Sequence, residues 1–243
     1  MVAMDDIYGS RARIGYTSPP LLTEVFAYDF YRLVPPGVTL VLTTLAILDR
    51  NKDEVDRSYE ISMQSARAMA SAGVDLVVLG GVPINLSRGY ANADRMLAEL
   101  SSELGIKVTS SAAAQSKALT TLGAKKIVIA RPYPPQGAFD VSGYGSHTVL
   151  GAVEGNAPFR QIAQLKRSVA LKLGRQAMRA YPDADTIMFP SPHWPVVDAI
   201  EPLEREFGVS VMSSLQAIVW HALRLTCGRP ISHCRTACTA AGD

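Results

Sequence analysis

The segment with the most reactive side chains in the sequence is Pro190–Pro195, which reads PSPHWP. Its three prolines stiffen the chain around a hydroxyl, an imidazole and an indole, so little conformational freedom is lost when these groups are positioned. An imidazole whose pKa is about 6.5 suits general acid–base catalysis at neutral pH. We therefore expect His193 to carry a proton and Ser191 to donate a hydrogen bond. A serine hydrolase dyad is disfavoured because no G-x-S-x-G elbow surrounds Ser191.

Three other predicted strand ends carry side chains or backbone suited to binding. The sequence RPYPP places the phenol of Tyr133 at a rigid strand end, where it can donate to a carboxylate. The sequence GGVPIN at 80–85 allows close backbone approach to an anion, although a Gly-Gly pair also makes a tight turn. The sequence TSPP at 17–20 offers two hydroxyls before a proline pair, which by itself predicts a rigid turn.

Short apolar runs alternate with segments of helical periodicity, which is typical of a parallel sheet covered by helices on both faces. Segments 53–72 and 161–181 carry apolar residues at helical spacing and are predicted helices. The predicted strands are Arg13–Ser18, Thr39–Ala46, Asp75–Gly80, Lys107–Ser110, Lys126–Ala130, Thr148–Val153, Thr186–Pro190 and Ser210–Ser213.

An internal repeat divides the chain. Segment 101–122 aligns without gaps with segment 204–225, and the shared residues include Gly105 with Gly208 and Ser110 with Ser213. In each copy a glycine is predicted to end a helix, a short strand follows, and a serine caps the next helix. Generic α/β units share some of these features, so the repeat indicates related halves without proving them.

Two related halves predict an α/β fold of two pseudo-symmetric Rossmann-like halves, each a parallel sheet flanked by helices. The active site would then lie in the cleft between them, at the carboxyl ends of the strands. We expect the first half to span 11–115 together with the C-terminal helix 214–227. The second half would span 116–213, and residues 228–243 would form a tail.

Composition limits the classes of partner. The 24 basic and 22 acidic residues are spread along the chain, so no basic stripe predicts nucleic acid or membrane binding. The N-terminus has no signal-peptide core, and a cytoplasmic location is expected. All three cysteines, Cys227, Cys234 and Cys238, lie near the C-terminus with a spacing that matches no standard zinc finger, so no metal is predicted. The expected partner is a small molecule, and a homo-oligomer is left open.

Four segments resemble the aspartate/glutamate racemase superfamily, specifically its arylmalonate decarboxylase and maleate isomerase branch: 14–20 (IGYTSPP), 75–89 (DLVVLGGVPINLSRG), 121–133 (TLGAKKIVIARPY) and 185–214 (DTIMFPSPHWPVVDAIEPLEREFGVSVMSS). The resemblance implies carbanion chemistry beside a carboxylate without metal or organic cofactor. It places a glycine, Gly81, at the first catalytic position, as in the decarboxylases. It places Ser191 where the second cysteine is expected, and Tyr133 where a tyrosine contacts the substrate carboxylate.

A serine in place of the thiol departs from the family pattern, because a hydroxyl is a weaker acid and a poor general base. The leading hypothesis is a cofactor-independent lyase that decarboxylates a small carboxylic acid through an enediolate. A cis–trans isomerase or racemase, and a carboxylate-binding protein without activity, are the alternatives. The predicted catalytic residues are Ser191, His193 and Tyr133, and the predicted substrate-binding residues are Ser18, Pro19, Gly81, Val82, Pro83, Asn85, Pro192 and Trp194.

Overall fold

Two parallel sheets form the centre of the molecule. A computed structural model describes residues 8–49, 51–81, 90–134 and 147–227. Its strands are β1 (Ala12–Pro20), β2 (Val38–Ile47), β3 (Leu76–Leu79), β4 (Lys107–Ser110), β5 (Lys126–Arg131), β6 (Thr148–Glu154), β7 (Thr186–Phe189) and β8 (Ser210–Ser213). They form two four-stranded sheets of order β2-β1-β3-β4 and β6-β5-β7-β8. The identical order in two sheets confirms the predicted pseudo-symmetric halves.

The helices described are α1 (Glu24–Leu33), α2 (Lys52–Ser71), α3 (Tyr90–Leu104), α4 (Ser111–Thr121), α5 (Arg167–Ala180), α6 (Val197–Phe207) and α7 (Ser214–Thr226), with a 3-10 helix at Phe159–Gln164. The helix predicted at 53–72 is confirmed as α2. Within the part of the chain that the structure describes, no helix is both long and apolar enough to cross a membrane.

The single helix predicted at 161–181 is wrong in its first turns. Leu165 and Lys166 are extended, with ψ angles of 144° and 146°, so the 3-10 helix stops before α5 begins at Arg167. Ile162 is buried from the 3-10 helix rather than from α5. Periodicity merged the two segments because both bury apolar residues at compatible spacings.

The repeated glycines and serines have the predicted local roles. Gly105 and Gly208 follow α3 and α6 with φ angles of 66°, the left-handed conformation that glycine adopts without a Cβ penalty. Ser110 and Ser213 cap α4 and α7, each accepting a backbone N–H three residues later at 3.2 Å. The glycines thus end α3 and α6, and the serines begin α4 and α7.

Helices α4 and α7 each contribute side chains to the cores of both halves. Leu215, Ile218 and Val219 of α7 are buried with Ile14 and Val78 of the first sheet. Helix α4 buries Ala118 and Leu119 with residues of the second sheet, while its Ala114 belongs to the first core. The two helices therefore join the two halves through buried apolar contacts. The predicted boundary at residue 115 stays a prediction, since α4 spans it.

A matched pair of glycines tests the packing at the end of β3. A Cβ on Gly80 would lie 1.9 Å from the Thr17 carbonyl oxygen, whereas a Cβ on Gly105 would have no atom within 4 Å. We expect Gly80→Ala to lower the free energy of unfolding by roughly 3 kcal/mol or more, since backbone must shift. Gly105→Ala should cost only the left-handed strain of about 1–2 kcal/mol. Urea denaturation measures both, and equal losses would contradict the close approach of Thr17 to Gly80.

Candidate active site

The 190–195 loop leaves β7 and is mostly buried. Ser191 is 5% exposed, and Trp194 is packed in the core of the second half, edge-on to Phe189 at 5.7 Å between ring centroids. Pro192 is half-buried. The loop therefore holds its serine buried beside the core of the second half. Trp194 contributes packing, and its predicted substrate contact stays a prediction.

His193 points away from the second half into the first. Its ring is 2% exposed and lies 5.5 Å from the Phe26 ring and 6.2 Å from the Tyr16 ring, measured between centroids. Removal from water lowers the pKa of His193 to about 3. The expectation that His193 titrates near neutrality is therefore wrong. Its ring is neutral at physiological pH, so it can donate a hydrogen bond but cannot act as an imidazolium acid.

Tyr16 joins this loop to the Gly-Gly turn. Its phenol crosses the end of β3, because a Cβ on Gly80 would lie 2.9 Å from the Tyr16 hydroxyl. Burial raises the pKa of Tyr16, and the neighbouring Ser111 hydroxyl offsets part of that rise. Gly81 has a φ angle of 80°. Both glycines thus have steric reasons to be glycine, and Tyr16 lies close both to Gly80 and to the His193 ring.

The first two turns of α4 hold the ends of β3 and β7 close together. Ser111 donates to the Leu79 carbonyl at 3.1 Å, and Gln115 donates to the Pro190 carbonyl at 3.4 Å. Residues four apart on a helix lie about 5–6 Å apart on one face. The carboxyl ends of the two pseudo-equivalent strands are therefore neighbours, as a cleft between the halves requires.

The end of β1 forms the third side of this region. Ser18 is fully buried, and it lies on the same face of β1 as Tyr16 because side chains alternate along a strand. Pro19 is also buried, and the pairing of β1 with β2 shifts register between Ser18 and Pro20. Nearby, Ala46 has a φ angle of 54°, strained for a residue with a Cβ. The irregular backbone is concentrated where the strands end.

Several buried polar atoms in this region have no hydrogen-bond partner among the described residues. They are the Ser18 hydroxyl, both ring nitrogens of His193, the Trp194 indole nitrogen and Gln115 Oε1. Each such group costs about 1–3 kcal/mol when left unpaired. Folded proteins keep few of them, and those few require an explanation such as a catalytic role or a bound water. Their concentration makes this edge the candidate active site.

Tyr133 lies at the end of β5, beside β7. It is buried in the same core as Trp194 and packs edge-on against Phe159 at 5.6 Å. It also lines a cavity of about 430 Å³ together with Asp49, Pro134, Asn156, Ala157, Pro158, Phe159, Arg160 and Gln161. This volume is within the range of small-molecule sites. Tyr133 is thus a predicted site residue that faces an open cavity.

The described residues include Ser18, Pro19, Gly81, Tyr133 and the loop from Ser191 to Trp194, whereas Val82, Pro83 and Asn85 lie outside them. Cys234 and Cys238 also lie outside, and Cys227 ends α7 as a free thiol. The described part of the chain contains no group of three His, Cys, Asp or Glu side chains placed to hold a metal ion.

Sequence reasoning missed Tyr16, Asp49 and Arg160. Tyr16 had a usable signal, since it stands two residues before Ser18 in a predicted strand and so shares its face. The Asp49–Arg160 ion pair had none, because the two residues come from different halves.

Comparisons with known proteins show similarity in both sequence and fold. A family model described as arylmalonate decarboxylase matches residues 14–236. The arylmalonate decarboxylase of Bordetella bronchiseptica is 26% identical over 223 residues, covering 90% of this chain and 92% of that protein. A liganded arylmalonate decarboxylase double mutant, with one glycine changed to cysteine and one cysteine to serine, is 25% identical with a TM-score of 0.80, covering 89% and 93% of the two chains. A maleate cis-trans isomerase mutant of Nocardia farcinica is 18% identical with a TM-score of 0.77, covering 88% and 91%, and shares the fold.

Proposed function

Because the chain belongs to the arylmalonate decarboxylase family, we propose that it decarboxylates a small malonate-type acid without a cofactor, through an enediolate. The observation that carries this proposal is the position of Ser191, a nearly buried hydroxyl at the end of β7 where the family resemblance expects a thiol. Decarboxylation and isomerisation make different demands on this residue.

Decarboxylation needs a proton donor, whereas racemisation needs a base that removes a proton from carbon. A serine hydroxyl is a poor base without an assisting group, and the lowered pKa of His193 makes its ring a weak base. Maleate isomerisation by a nucleophilic thiol is equally disfavoured, because the cysteines at 227, 234 and 238 all follow the last strand. These differences favour the lyase among the three candidate functions.

The proposed reaction balances with Ser191 as the acid. The bond from the α-carbon to the departing carboxylate breaks, its electron pair forms the enediolate with the retained carboxylate, and CO₂ leaves. The Ser191 hydroxyl then gives its proton to the α-carbon, which is far more basic than an alkoxide. Water returns a proton to Ser191. The role first expected of His193 thus passes to Ser191 in this mechanism.

Neutral donors at the strand ends suit this chemistry. The Ser18 hydroxyl and the neutral His193 ring can donate without an accompanying positive charge. Donors fixed in advance stabilise charge as it develops and require no reorganisation during the reaction. The rings of Phe26 and Tyr16 make the surroundings apolar, which disfavours a carboxylate that is about to be lost.

Deuterium labelling tests the proposed function. In D₂O we expect CO₂ release from one or more members of a panel of aryl-, alkenyl- and alkylmalonates, with one deuterium at the carbon that lost CO₂. Heat-denatured protein is the control. Racemisation or isomerisation of related acids with no CO₂ release across the panel would reject the lyase and favour the isomerase. Ligand binding without turnover would favour the binding protein.

A further inference from the structure

Arg160 is a cation that lines the same cavity as Tyr133 and has no role in the proposed reaction so far. It lies in the 3-10 helix of the second half and pairs with Asp49, which follows β2 of the first half. The neighbouring Phe159 packs with Leu45 and Ile47 of β2, so the cavity sits where the two halves meet. Tyr133, the predicted carboxylate contact, and Arg160 thus face the same space.

The ion pair leaves most of the guanidinium available. Nη2 of Arg160 donates to Oδ1 of Asp49, and this is the one hydrogen bond of the guanidinium within the part of the chain that the structure describes. A guanidinium has five N–H donors in a planar fork that matches a carboxylate. The side chains of Arg160 and Asp49 are 55% and 53% exposed, so water screens their attraction and a ligand can compete for the arginine.

We infer that Arg160, together with Tyr133, binds the carboxylate that the substrate retains, and that Asp49 orients Arg160 while weakening its hold on anions. This inference rests on the proposed function in taking a carboxylate as the ligand. The retained group is the one Arg160 must bind, because a strong ion pair to the departing carboxylate would stabilise the ground state and slow its loss.

The amides of Asn156 and Gln161 line the same cavity and add neutral hydrogen-bonding groups. The apolar part of its wall comes from Phe159 and three smaller residues, Pro134, Ala157 and Pro158. A cavity with one cation paired to one carboxylate, a phenol, two amides and an apolar wall fits a small acid whose apolar substituent lies beside its carboxylate.

Equilibrium binding of an arylacetate, the class of product that the proposed reaction forms from an arylmalonate, tests this inference without turnover. Phenylacetate keeps the carboxylate, and phenylacetamide has the same shape without the charge. Charged hydrogen bonds contribute about 1.5–3 kcal/mol, so in calorimetric titrations we expect Arg160→Gln to raise the Kd of phenylacetate about 10- to 100-fold. The Kd of phenylacetamide should change less than about twofold, because a neutral amide gains little from the charge.

Asp49→Asn should have the opposite effect. Loss of an exposed ion pair is worth up to about 1 kcal/mol, so the Kd of phenylacetate should fall about two- to fivefold. Arg160→Lys keeps the charge without the fork and should lie between wild type and Arg160→Gln. Arg167→Gln is the matched control, since Arg167 is 62% exposed, pairs with Asp198 and does not line the cavity.

Three results would overturn the inference: no binding of phenylacetate to wild type, an unchanged Kd in both Arg160 variants, or equal weakening by Asp49→Asn and Arg160→Gln. The last result would mean that the pair only joins the two halves. Binding that depends on Arg160 in a protein that releases no CO₂ would reject the decarboxylase and leave the carboxylate site in place.

Discussion

Ser191→Ala is expected to lower kcat for decarboxylation about 10²- to 10⁴-fold, the usual loss when a proton donor is removed from the transition state. The KM should change little, because the retained carboxylate is bound elsewhere. Ser191→Cys is expected to match or exceed the wild-type rate, since a thiol is several pK units more acidic than a hydroxyl and differs little in volume. Initial rates of CO₂ release measure both variants.

Ser210→Ala is the matched control, because Ser210 begins β8 at the other end of the same sheet. It should leave kcat unchanged. A fully active double variant, Ser191→Ala with His193→Ala, would show that the 190–195 loop only supports the fold. The chemistry would then have to be sought at Tyr133. An inactive Ser191→Cys protein with normal stability would show that the thiol geometry of the family has been lost.

His193 is expected to make the protein less stable as the pH falls from 6.5 to 4. Burial lowers its folded-state pKa to about 3, while the unfolded chain titrates at the ordinary histidine value of about 6.5. Within this window the unfolded chain binds a proton that the folded chain does not, so acidification favours unfolding. Each pH unit below 6.5 costs about 1.4 kcal/mol, or roughly 3 kcal/mol by pH 4.

Denaturant unfolding of wild type and His193→Gln at several pH values measures this contribution. Glutamine does not titrate and is close to histidine in size, so the variant should lose about 3 kcal/mol less than wild type over the same interval. His221 provides a comparison, because burial first, and then the charges of Lys117 and Arg224, lower its pKa to about 4. His221→Gln should reduce the acid sensitivity less. Parallel stability curves for wild type and His193→Gln would contradict the buried neutral ring.

The lowered pKa of His193 also changes the expected dependence of kcat/KM on pH. A histidine titrating at neutrality would give kcat/KM a limb near pH 6.5. With His193 neutral throughout the physiological range, we expect no such limb between about pH 5 and 8 in wild type or in His193→Gln. A limb that disappears in the variant would restore His193 as the proton carrier.

Local sequence was sufficient to locate the strands of both sheets. Runs such as the LVVL of β3 and the TIMF of β7 are buried on both faces, so they stand out from the helices by composition alone. The Gly105 and Gly208 ends and the Ser110 and Ser213 caps depend on residues within one turn. The break before α5 was missed, because no proline or glycine interrupts the apolar spacing there.

The sequence by itself determined the two similar α/β halves and the residues that stand at their strand ends, including a serine where the family resemblance expects a thiol. It also placed Tyr133 just after the end of β5. These properties follow from the order of residues along the chain. Only the tertiary structure decided the state of His193, because desolvation comes from Phe26 and Tyr16, which belong to the other half. In the same way, the meeting of Asp49 and Arg160 in one cavity depends on how the halves pack. Contacts between residues distant in sequence set pKa values and cavities, and no local pattern encodes them.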